Sequence, residues 1–218
     1  MNFAKSERIE LCAALEAAGP DAPTLCAGWT THDLAAHLWI RETDPLGAPG
    51  LVAKPLAALT ERRMNEAKAR WSFVELVDRI RRGPSRLSLF ALPGVDEEAN
   101  TVEFFVHHED VRRAGPEPVP PRDLPGEVED WMWRRLKLMG RALFRRAEVG
   151  IVLERARPAD ATGDPETVRV MPGGEIVTII GPPSELMLYA HGRRKHSGVR
   201  LVGDEAALAR LARSDLHI

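Results

Sequence analysis

Two hydrophobic patterns follow one another along the chain. Up to about residue 146 apolar positions recur at helical spacing, and beyond Gly150 they fall into short alternating runs. Leu11, Cys12 and Leu15 mark a first helix over about 3–18, which Gly19-Pro20 stops. A second helix begins at Thr30. Thr30 and Asp33 have the spacing of a capping box, in which hydroxyl and carboxylate each cover an orphan N–H, and Trp29 and Leu34 are placed to staple that end. Leu34, Leu38 and Arg41 continue its face, and Pro45 ends it.

Residues 45–58 are rich in Pro, Gly and Ala and read as a loop, with a polar helix over 59–70. Ser72 and Glu75 repeat the capping-box pattern ahead of Phe73, Leu76, Val77 and Ile80, and Gly83-Pro84 terminates that helix. Asn100 is the expected N-cap of a helix to about Ala114, closed by Gly115-Pro116. A Pro-rich connector then leads to a long helix over about 126–146, with Val128, Met132, Leu136, Met139 and Leu143 inward. Beyond it, Val152, the run ETVRV at 166–170 and the run EIVTII at 175–180 predict strands, with Pro172-Gly173-Gly174 as a hairpin turn between the last two. Pro182-Pro183-Ser184 opens a helix to about His191, Val199–Val202 is strand-like, and Asp204 caps a final helix. The expected organisation is α+β: a helical domain over 1–147 and a small α/β domain over 150–218.

Composition removes several classes of function. The 218 residues are 44% hydrophobic, enough for a packed core, and the net charge of −2 comes without a one-sided basic patch. Cys12 and Cys26 are the only cysteines and form no CxxC pair, which excludes a disulfide framework and a cysteine-rich zinc site. The N-terminal MNFAKSERIE has no apolar signal core, and no apolar run approaches the roughly 18 residues of a membrane span. A cytoplasmic protein with neither nucleic-acid nor membrane partners is expected.

Three residues stand on faces that should be apolar. Glu103 and His107 are four apart on one helix and share a direction, with Val102 and Phe105 beside them, and His37 lies between Leu34 and Leu38. A carboxylate and two imidazoles turned into a helical core need partners, and a divalent metal supplies one. Two plainer readings stand beside this: a core histidine satisfied by a carbonyl, and a weak ion pair on a helix surface.

The stretch LCAGWTTHDLAAHL at 25–38 resembles the opening motif of the mycothiol-dependent maleylpyruvate isomerase family, within the DinB-like metal-binding bundles. Gly28-Trp29 and His37 stand at the motif positions. The family's Glu, three residues, His, two residues, Asp pattern is matched by Glu103, His107 and Asp110, and GPPSELMLYAHGR at 181–193 with VRLVGD at 199–204 is similar to its C-terminal domain. The match looks nearest to actinobacterial members that share the metal motif, rather than to the isomerase itself. The resemblance implies an antiparallel four-helix bundle followed by a domain distantly like a sterol carrier domain. It implies a metal, zinc above all, on His37, Glu103 and His107, with an open position that receives the thiol of mycothiol. Asp110 would orient an imidazole, and Trp29 and Arg193 would contact the thiol cofactor or an anionic substrate. The implied chemistry is thiol S-transfer or cis-trans isomerisation of a small electrophile, by a monomer or homodimer. A non-catalytic binding protein and a metal-dependent hydrolase are the competing expectations. Cys26 reads more simply as a small buried hydrophobe. His108 points away from His107 and is not expected to be a ligand, and His191, His196 and His217 are expected at the surface.

Overall fold

The structure is a computed structural model that describes residues 3–44, 57–83, 95–157 and 162–214, with the backbone alone at 57 and 95–99. The chain divides into two compact units, Met1–Val119 and Pro120–Ile218. Both helices and strands are present, so the α+β class holds.

The first unit contains helices α1 (Phe3–Ala18), α2 (Thr31–Thr43), α3 (Ala57–Arg70), α4 (Phe73–Arg82) and α5 (Val95–Arg112). α1 packs along α5 and against α4, while α2 packs against α3 and α4. Leu11, Leu15, Leu34, Leu38, Leu76, Ile80 and Phe104 are fully or almost fully buried at the centre. Each such side chain contributes on the order of 1.5–3 kcal/mol by leaving water.

Both capping boxes form. Thr30 N–H donates to Asp33 Oδ2 at 3.0 Å while Thr30 Oγ1 accepts from the Asp33 N–H, and Ser72 and Glu75 do the same on α4. Removal of such a cap costs about 1 kcal/mol. α5 starts at Val95 rather than after Asn100. Asn100 is therefore a fully buried residue within the helix, not its cap.

The second unit holds α6 (Gly126–Leu143), β1 (Gly150–Arg155), β2 (Thr167–Met171), β3 (Ile176–Gly181), α7 (Pro183–Ala190), β4 (Arg200–Val202) and α8 (Glu205–Arg213). The sheet order is β2-β1-β3-β4, with β1 antiparallel to β2 and parallel to β3. The expected hairpin between β2 and β3 does not form: β1 lies between them, and the Pro172–Gly174 loop passes its end, where Gly150 N–H donates to the Glu175 carbonyl at 2.8 Å. Asp204 caps α8 as expected, accepting the Ala207 N–H at 2.7 Å.

The change of pattern at 147–150, after the long helix, is not where the contacts divide the chain, which is between Val119 and Pro120. α6 packs on α7 and β2. Its fit to the sheet requires Gly140, where any Cβ would stand 2.4 Å from Val170 Cγ1. Val128, Met132, Leu136 and Leu143 are buried as expected, but Met139 is 44% exposed. Among the described residues no helix is long and apolar enough to cross a membrane.

Candidate metal centre

α2 and α5 bring the three expected ligands together. His37 Nε2 lies 3.0 Å from Glu103 Oε1, and His107 Nε2 lies 3.2 Å from the same oxygen. All three donor atoms fall within 4.8 Å of one another. The histidine rings meet edge to face with centroids 4.9 Å apart. Metal–nitrogen and metal–oxygen bonds of roughly 2.0–2.2 Å imply donor separations of about this size, so little movement is needed to close on one ion.

Asp110 stands behind His107, with its Oδ2 2.8 Å from Nδ1. The contact fixes the ring so that Nε2 faces Glu103, the usual arrangement behind a ligating imidazole. Trp29 tilts over His37 with ring centroids 5.0 Å apart.

The loop before α2 explains why Gly and Trp occur together. Trp29 N–H donates to the Cys26 carbonyl at 3.0 Å, closing a four-residue turn. Gly28, third in that turn, has φ of +80°, the pattern of a type II turn that favours glycine. Thr24 Oγ1 accepts from the Cys26 N–H at 3.2 Å and donates to the Trp29 carbonyl at 3.0 Å. Leu25 N–H donates to the Asp110 carbonyl at 3.1 Å, tying this loop to α5.

Five further residues take part that the sequence did not place in the site. The Cys26 thiol donates to Asp110 Oδ2 at 3.2 Å, with its sulfur 4.0 Å from His107 Nδ1. Arg41 Nε lies 3.3 Å from Glu103 Oε1, and Arg41 Nη1 donates to Asn100 Oδ1. Asn100 Nδ2 donates to Glu42 at 2.8 Å, and Glu42 accepts both Nη groups of Arg8 at 2.6 Å. A polar chain thus runs from Arg8 on α1 through Glu42 and Asn100, all buried, to the half-buried Arg41 and Glu103. The only early signal was negative: Arg8 and Glu42 sit at positions that helical spacing turns inward.

Charge is distributed unequally. Burial pulls the His37 imidazole below its ordinary value, outweighing the bond to Glu103 that raises it. Burial would raise Glu103, but the bonds from His107 and His37 and the nearby charges of His107 and Arg41 hold its carboxyl well below the usual range. Burial would likewise lower His107, yet Asp110, Cys26 and Glu103 together hold it well above an ordinary histidine. The surroundings thus favour the protonated form of His107, which stands between two acids, and disfavour that of His37. His37 Nδ1 is buried and makes no hydrogen bond among the described residues.

A cavity of about 600 Å³ opens beside His37, lined among others by Trp29, Asp33, Thr60, Met64 and Lys68. Lys68 pairs with Asp33, which places opposite charges on its wall. A smaller cavity of about 350 Å³, at Trp39, Arg63 and Trp71, includes none of the three ligands in its wall.

The other candidates have the following partners within their own units. Arg193 belongs to the second unit, follows α7, and donates to the His191 carbonyl at 2.6 Å. His108 pairs with buried Glu7 at 2.8 Å. His191 is half-buried with Nδ1 2.9 Å from the Met187 carbonyl, His196 is exposed, and His217 lies outside the described residues. Cys12 is fully buried in the core, and burial pushes its thiol up to about 11.

Comparison of the chain with family models, with curated proteins and with solved structures finds no match.

Proposed function

We propose that the protein is a metal-dependent enzyme, zinc being the best-fitting ion, which uses a small thiol such as mycothiol in S-transfer or cis-trans isomerisation of a small electrophile. The observation that carries this reading is the convergence of His37, Glu103 and His107 beside a cavity of about 600 Å³. Three protein ligands of N, N and O type with room beside them suit a catalytic ion better than a structural one, which is normally enclosed by four.

Each residue has a definite task in this reading. His37, Glu103 and His107 hold the ion, and Asp110 keeps Nε2 of His107 turned toward it. A zinc ion there lowers the pKa of a thiol or water ligand, so that the nucleophile exists at neutral pH. Trp29 and Met64 give the cavity an apolar side, and Thr60, Asp33 and Lys68 give it polar and charged groups. Such a lining suits a small polar molecule with an apolar portion. The sequence motifs around Trp29–His37 and Glu103–Asp110 favour a thiol over water as the partner of the ion. The antiparallel four-helix bundle and the sterol-carrier-like second domain belong to the same proposal.

The test is cobalt substitution in a Cys26→Ser background, where the neighbouring protein thiol is gone. Addition of mycothiol is expected to produce a sulfur-to-cobalt charge-transfer band in the near ultraviolet, and a desthiol analogue is not. A cobalt spectrum unmoved by millimolar mycothiol or other small thiols would remove the thiol chemistry and favour hydrolysis.

A further inference from the structure

The His107 ring has two edges, and each faces a group able to hold a metal. Its Nε2 edge meets Glu103 and His37. Its Nδ1 edge meets Asp110 Oδ2 at 2.8 Å and Cys26 Sγ at 4.0 Å, and the sulfur and that oxygen are 3.2 Å apart. We propose that Cys26, Asp110 and the Nδ1 edge of His107 form a second cation site, one that takes a thiophilic ion such as cadmium, cobalt(II) or zinc.

The spacing is right without refolding. Bonds of roughly 2.0–2.2 Å to nitrogen and oxygen and 2.3 Å to sulfur place such donors about 3.3–3.5 Å apart around a tetrahedral ion. The 3.2 Å side of the observed triangle is within a few tenths of an ångström of this, and the 2.8 Å and 4.0 Å sides depart from it by roughly half an ångström or slightly more, a change that side-chain rotation can supply. The three donors also come from well-fixed backbone. His107 and Asp110 are three apart on α5, and Asp110 is fully buried. Cys26 opens the hydrogen-bonded turn that ends at Trp29, and Leu25 N–H bonds the Asp110 carbonyl, so sulfur and carboxylate are held in register.

The donor set decides the class of ion. A thiolate with an imidazole and a carboxylate selects soft or borderline cations over magnesium and calcium, which prefer all-oxygen sites. Binding replaces protons that now join the cluster: the thiol proton shared with Asp110, and any proton on His107 Nδ1. Both leave to solvent as the ion enters. Cys12 cannot substitute for Cys26, because it is enclosed in the core beside the Val77 carbonyl.

The inference does not require the first ligand group to be filled, and its test separates the two. Cobalt(II) is titrated, without added thiol, into metal-free His37→Ala protein whose helical circular dichroism matches wild type. A sulfur-to-cobalt charge-transfer band is expected at about one equivalent. It should disappear in His37→Ala/Cys26→Ser and persist in His37→Ala/Cys12→Ala. In wild-type protein, which needs no substitution, cadmium in excess of two equivalents, enough to fill both groups, should slow alkylation of Cys26 at least tenfold, and a chelator should restore it. No band in His37→Ala, a band that survives loss of Cys26, or unchanged alkylation would each overturn the second site. The first ligand group is read independently from metal binding by Cys26→Ser, so either group can fail without the other.

Discussion

Asp110 holds His107 through Nδ1 at 2.8 Å, while the opposite edge of the same ring faces Glu103 at 3.2 Å. The ring is thereby fixed before any ion arrives, and its orientation depends on a carboxylate that is itself fully buried. Asp110→Asn keeps the volume but removes the charge. Zinc affinity at the His37–Glu103–His107 group is expected to fall by about 10- to 100-fold, with binding still measurable. Competition against a chromophoric chelator measures this. Unchanged affinity would show that Asp110 does not orient the ligand.

The raised pKa of His107 makes ion binding a proton-release reaction. In the metal-free protein the protonated ring is favoured, and the ion requires it neutral. Zinc affinity should therefore drop about tenfold per pH unit as pH falls below the raised value of His107. The same shift stabilises the metal-free fold: that contribution is fully present below about 6.5 and is lost as pH rises through the folded-state value. Calorimetric titration in two buffers of different ionisation enthalpy counts the protons. In Cys26→Ser protein, where the neighbouring thiol is gone, net proton release on zinc binding is expected, and a pH-independent affinity between about 6 and 8 would contradict the raised pKa of His107.

The ion pair of Arg8 and Glu42 is almost completely buried and carries the polar chain toward Glu103. Glu42→Ala leaves the guanidinium enclosed beside Phe104 with its main partner gone. A loss of about 3–5 kcal/mol in urea denaturation is expected, because an uncompensated buried charge costs far more than an exposed one. A loss below about 1 kcal/mol would mean that the pair behaves as a surface contact.

Much of the fold was legible because local signals and burial agree. The capping boxes at Thr30 and Ser72 set two helix starts, and the inward spacing of Leu34, Leu38, Leu76 and Ile80 marked the core they serve. The metal-type group was legible for the same reason: His37, Glu103 and His107 are polar residues in apolar register. What failed depended on long-range pairing. Asn100 looked like a cap because a short polar side chain at a helix start usually is one, yet here it satisfies Glu42 and Arg41 from within α5. Pro172-Gly173-Gly174 looked like a hairpin turn, but strand order is settled by which partners β1 takes. The helix 126–143 carried the same periodicity as those before it, and periodicity does not say which layer a helix joins. Cys26 reads from the sequence as a small buried hydrophobe, because the partners that make it polar, His107 and Asp110, are 81 and 84 positions away.

Zinc binding by metal-free Cys26→Ser protein, measured against a chromophoric chelator alongside His37→Ala/Cys26→Ser and Glu103→Ala/Cys26→Ser, bears most directly on the metal centre. Removing the thiol leaves only the two histidines and Glu103 as a complete three-residue group among the described residues. One tight equivalent of zinc is expected in Cys26→Ser, with most of that affinity lost in both double variants. No tight binding in Cys26→Ser, or equal binding in all three proteins, would show that His37, Glu103 and His107 are a buried ion network and not a metal centre.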